Sequence, residues 1–75
     1  MPLPLDPVTL GRRAALAEAV RQHRQARGLS QQGLGEEAGW ERQSVNRVEN
    51  LQRSPSFDRL CSLAAALGVR LSDLM

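Results

Sequence analysis

The residues of this chain best suited to chemistry are Arg42, Gln43, Asn46 and Arg47. Arginine can pair with guanine O6/N7, and glutamine or asparagine with adenine N6/N7. They are the outward set of a short helix whose Val45 and Val48 face back. Gly39 precedes that helix as the small residue that lets two helices cross steeply at a tight turn. The segment SQQGLGEEAGWERQSVNRVEN, residues 30–50, therefore reads as two short helices with the second offering side chains to base edges. Catalysis has no comparable support. His23, the lone histidine, falls mid-helix, and no nucleophile elbow precedes a helix. Cys61 is the single cysteine, so no intramolecular disulfide or thiolate zinc site can be built, and no cofactor is expected. Glu36 and Glu37 read as a solvated helix face rather than a metal site.

The positioning elements are all helical. Asp6-Pro7 has the form of an N-cap followed by a first-turn proline, with Thr9 as an alternative cap. The first helix runs to about residue 27, where Gly28 takes a left-handed conformation without steric cost. Ser30 caps a second helix over residues 31–38, and a third covers residues 41–49. Ser54-Pro55-Ser56 is loop chemistry ending in an N-cap. A fourth helix spans residues 57–67, with Phe57, Leu60, Leu63, Ala64 and Leu67 on its inward stripe. Gly68 ends it, and Ser72 is expected to cap a fifth, short helix at residues 73–75. The expected core is Leu16, Val20, Leu29, Leu34, Ala38, Val45, Val48, Leu60, Leu63, Ala64, Leu67 and Val69. Residues 1–9 are read as an extended, Pro-rich arm and residues 10–75 as one domain. Cys61 is placed in the core or an interface, and Trp40 over the corner between helices two and three.

Seventy-five residues lie near the lower size limit for one unstapled domain. All ten basic residues are arginine, and lysine, isoleucine and tyrosine are absent, a bias we attribute to a GC-rich bacterial genome. The net charge of +2 is uneven. Residues 12–29 hold five arginines against Glu18, whereas residues 30–50 set Arg42 and Arg47 against Glu36, Glu37, Glu41 and Glu49. No segment approaches the ~18 apolar residues of a membrane span. Residues 1–10 lack the basic start and apolar run of a signal peptide, so a cytoplasmic location is expected.

The order and spacing of Arg24, Arg27-Gly28-Leu29-Ser30-Gln31, Leu34, Gly39, Arg42, Val45, Arg47, Val48-Glu49-Asn50, Pro55-Ser56, Leu60, residues 64–69, Leu71 and Leu74 resemble the phage repressor and Cro class of helix-turn-helix proteins, often called Xre-type. The resemblance implies an all-α, five-helix lambda-repressor-like domain that binds double-stranded DNA and regulates transcription. It implies that Gln31 binds a backbone phosphate, aided by its helix dipole. Arg42, Gln43 and Arg47 would contact bases, with Asn46 adjacent. Ser44 and Glu41 would lie at the phosphate edge, and Arg53, Ser54 and Ser56 across the groove. Arg24 and Glu49 match the family's buried ion pair. Several positions depart from the pattern. Gly33 and Gly35 replace Glu and Ala, Glu41 replaces a Ser or Thr cap, and His23 replaces an aliphatic residue. Leu51 replaces a glycine, which shifts the left-handed position to Asn50.

The small core favours a homodimer, built through Val69, Leu71, Leu74 and Met75 with part of the fourth helix, on a palindromic operator. The class includes phage repressors, restriction–modification controllers and antitoxins. The acidic balance of residues 30–50 leaves a second reading open, a protein-interaction module with a toxin or other protein as partner.

Overall fold

The computed structural model describes residues 6–52 and 54–74. Among them the order is α1 (Pro7–Ala26), α2 (Gln31–Ala38), α3 (Arg42–Glu49), α4 (Phe57–Leu67) and a single 3₁₀ turn at Leu71–Asp73. The expected fifth helix is thus replaced by that turn. It lies further upstream than the helix expected from a Ser72 cap, and Arg70, not Ser72, precedes it. The Arg70 amide donates to Asp73 Oδ2 at 2.9 Å.

Local chemistry accounts for most boundaries. Asp6 Oδ1 accepts from the Thr9 amide at 2.7 Å, and Pro7 occupies the first helical position, where a missing N–H costs nothing. Helix α1 consequently begins within the segment read as an arm, and residues 7–9 are its first turn. The rest of that arm, residues 1–5, lies outside the described residues, as do Arg53 and Met75. Ser30 Oγ accepts from the Gly33 amide, and Ser56 Oγ from that of Arg59. Glu41 caps α3 by backbone geometry alone, with no side-chain hydrogen bond, so the helix starts one residue later than expected.

Gly39 closes α2 at φ +75°, the turn on which α3 swings away. The end of α3 differs from expectation. Asn50 keeps φ −97°, and Leu51 itself takes the left-handed conformation at φ +63°. The Gln52 amide bonds Arg47 O at 2.8 Å and the Leu51 amide bonds Val48 O at 3.2 Å. These are the two bonds of a Schellman cap, which demands positive φ at the residue after the cap. Gly35 also has a steric reason. A Cβ there would stand 2.7 Å from the Trp40 carbonyl oxygen, so alanine does not fit without movement of the turn.

The core gathers Val20, Leu34, Val45, Leu63, Ala64, Ala66, Leu67 and Leu74, with Leu16, Leu29, Ala38, Trp40 and Val69 packed at its edge. Two expectations fail here and one is narrowed. Phe57 is 65% exposed, because the inward stripe of α4 begins a turn later. Cys61 is exposed. Leu74 is only 1% exposed and fills the base of the monomer's own core, so it is unavailable as a dimer contact.

Candidate nucleic-acid interface

Helix α3 has two chemically distinct sides. Val45, Val48 and Glu49 are buried, while Arg42, Gln43 and Arg47 are exposed and Ser44 and Asn46 are half-buried. Residues three and four apart stand on one helical face, so Arg42, Gln43, Asn46 and Arg47 form a contiguous surface. Among the described residues no ion pair engages Arg42 or Arg47. Both guanidinium forks are therefore free for an outside acceptor.

The buried side of α3 is anchored by charge. The Glu49 side chain is 1% exposed. Arg24 grips it with two hydrogen bonds, Nε to Oε2 at 2.8 Å and Nη2 to Oε1 at 3.0 Å. Arg24 also donates to the Leu29 carbonyl at 2.9 Å, so one guanidinium ties α1 to both the α1–α2 connection and α3. The carboxylate it grips holds the Arg24 guanidinium above its usual pKa, mainly through that hydrogen bond, against a smaller opposing effect of burial. Arg21 adds a second cation 3.6 Å from Glu49 Oε1 and donates to the Glu49 carbonyl at 3.1 Å. Sequence reasoning missed Arg21, although its place three residues before Arg24 puts both on the same face of α1.

The network continues outward from Glu49. Gln31 Nε2 donates to Glu49 Oε1 at 3.3 Å, and Gln31 Oε1 accepts from Asn46 Nδ2 at 3.2 Å. Asn50 Nδ2 in turn donates to Asn46 Oδ1 at 3.1 Å. Gln31 and Asn46 were expected at phosphate and beside the base contacts, respectively. Here they bridge α2 to α3, each using one of its two amide hydrogens in the bridge. The arrangement locks α2 against α3 while leaving Arg42, Gln43 and Arg47 unengaged.

Ser54 and Ser56 are exposed at the entry to α4, and with Ser44 they line one cleft under Trp40. Arg27, on the far side of the molecule, donates to the Ala66 carbonyl and lies 3.6 Å from Glu37. That pairing removes part of the acidity of α2 from play. Of the residues expected at a partner interface, Val69 and Leu71 are half-buried beside the 3₁₀ turn. No helix among the described residues is long and apolar enough to cross a membrane.

Comparison with known proteins agrees with this geometry. The sequence profile of the helix-turn-helix family HTH_3 matches residues 20–74. No curated protein matches the chain. Among solved structures, the restriction–modification controller protein C.AhdI from Aeromonas hydrophila is 33% identical, with a TM-score of 0.81 over 84% of this chain and 96% of that one. A hypothetical transcription factor, NHTF, from Neisseria is 32% identical, with a TM-score of 0.84 over 99% of this chain and 84% of its own. The clp gene regulator ClgR from Corynebacterium glutamicum is 27% identical, with a TM-score of 0.79 over 97% of this chain and 71% of that one. The chain belongs to the HTH_3 helix-turn-helix family and is homologous to its transcription regulators.

Proposed function

We propose that the protein is a sequence-specific DNA-binding regulator of transcription, acting as a homodimer on a palindromic operator. One observation carries the reading. Helix α3 is fastened from behind by Val45, Val48 and the Arg24–Glu49 pair, while Arg42, Gln43 and Arg47 stand free on its open face. A rigid helix with unspent bidentate donors is what major-groove readout requires. The similarity to C.AhdI favours a controller-type regulator within this class.

The acidic balance of residues 30–50 supports the second reading, a protein-interaction or antitoxin module. Its weight falls once burial is counted, because Glu49 is spent on Arg24 and Glu37 stands beside Arg27.

For the dimer, the burial of Leu74 moves the proposed contact onto the outer face of α4. Phe57, Cys61 and Ala65 are exposed there at successive turns, and Val69 and Leu71 are half-buried beyond its end. Sedimentation at micromolar concentration of the wild type and of Phe57→Glu tests this face. A wild-type monomer, free and on DNA, ends both the dimer and the palindrome.

The DNA reading is tested by sequencing genomic fragments retained by the protein, then measuring affinity for the selected and for random duplexes. Arg42→Ala and Gln43→Ala should each lose ~1–3 kcal/mol on the selected site and little on random DNA. Equal weakening on both removes the base-reading role.

A further inference from the structure

The chain's only tryptophan carries an arginine that the base-reading face does not use. Trp40 is half-buried, packed against the core at the turn between α2 and α3. The Arg59 guanidinium lies over its ring, 5.1 Å from the centroid, within cation–π range. Arg59 is exposed and joins no ion pair among the described residues. The two side chains form part of the wall of a cleft of about 200 Å³ that also presents Ser44, Ser54 and Ser56. Ser44 stands three residues before Arg47 on α3, so the cleft flanks the base-reading face.

We propose that this cleft seats a phosphodiester of the DNA backbone, that Arg59 makes the charged contact, and that Trp40 holds the guanidinium in place. The inference rests on the DNA-binding reading and adds one contact to it. Three hydroxyls and a planar fork match the donors a phosphate takes. An arginine on an exposed helix normally samples many rotamers, and stacking on a fixed ring restricts it to the cleft, so less ordering remains for binding. Trp40 is a positioning residue, because it acts through the guanidinium that stacks on its ring. A phosphate contact carries no sequence information, so its loss weakens every duplex alike.

The test uses the full chain and a labelled mixed-sequence duplex, with affinity followed by anisotropy across a salt series. Arg59→Ala should reduce the slope of log affinity against log salt by about one, equally for random and selected duplexes. Arg59→Lys should keep that slope. Trp40→Phe, which retains a ring face, should keep it, whereas Trp40→Leu should lose part of it at an unchanged oligomeric state. Intrinsic emission of Trp40 should shift when DNA binds the wild type, and the shift should shrink in Arg59→Ala. A wild type that binds DNA, with an unchanged slope in Arg59→Ala, overturns this proposal and leaves the DNA reading standing. A wild type that binds no duplex defeats both.

Discussion

Leu51 offers the sharpest test of the backbone that ends α3. Its φ of +63° is imposed by the two Schellman bonds that end α3, and an L-residue with a Cβ is strained there by ~1–2 kcal/mol. The side chain is 49% exposed, so about half of its apolar contact is realised, worth roughly 1 kcal/mol. Leu51→Gly relieves the strain, forfeits that contact and adds ~0.5–1 kcal/mol of backbone entropy to be lost on folding, for a net change near zero. Leu51→Ala forfeits nearly the same contact and keeps the strain. Glycine should therefore exceed alanine at this position by about 1 kcal/mol, or roughly 4–8 °C in thermal midpoint for a domain of this size. Gly11 is the internal control. It lies within α1, with ordinary helical φ and nothing within 4 Å of an added Cβ. Gly11→Ala should stabilise by up to ~1 kcal/mol, the opposite order. Thermal and urea unfolding of the four proteins, followed by circular dichroism, gives the comparison. Alanine equal to or better than glycine at 51, with the control behaving normally, refutes the left-handed cap at Leu51.

Arg24→Ala should destabilise the domain by ~3–5 kcal/mol, because Glu49 keeps a buried charge with only Arg21 and Gln31 near it; a midpoint close to wild type refutes the anchoring role. Gly35→Ala should cost ~1–3 kcal/mol, since its Cβ collides with the Trp40 carbonyl, and Trp40 emission should report the displaced turn. Gly33→Ala, which meets only the Ser30 hydroxyl at 3.3 Å and a Leu29 methyl at 3.5 Å, should be milder. Asp6 is held below the usual carboxylate pKa, chiefly by the Thr9 amide. Its contribution is therefore present above the unfolded carboxylate pKa and lost as pH falls through the lower folded value. The protection factor of amides at the start of α1, with the intrinsic exchange rate divided out, should fall in acid in the wild type, and Asp6→Asn should remove most of that fall.

Much of this molecule was decided within a few residues of chain. The caps at Asp6, Ser30 and Ser56 and the left-handed glycines at 28, 39 and 68 need only local hydrogen bonds and local sterics, so sequence places α1, α2 and α4 closely. The two-sided character of α3 is likewise written in the spacing of Val45 and Val48 between polar residues. The sequence pattern also indicated that Arg24 and Glu49 belong together, through a resemblance and not through any local signal. What lay beyond the sequence reading was the choice between neighbouring residues within a turn and every contact made by distant segments meeting. The Schellman bonds decide that Leu51, and not Asn50, takes the strained backbone. The Trp40 carbonyl turns Gly35 from a weak helix residue into a steric requirement. Leu74 is drawn into the monomer core because the chain after Gly68 folds back beneath α4. Arg59 comes to rest on Trp40 across nineteen positions of chain, where neither helical periodicity nor capping chemistry has any reach. Local free energies select the helices, and the burial of a core this small, in which few side chains are spared, selects which of their residues remain free at the surface.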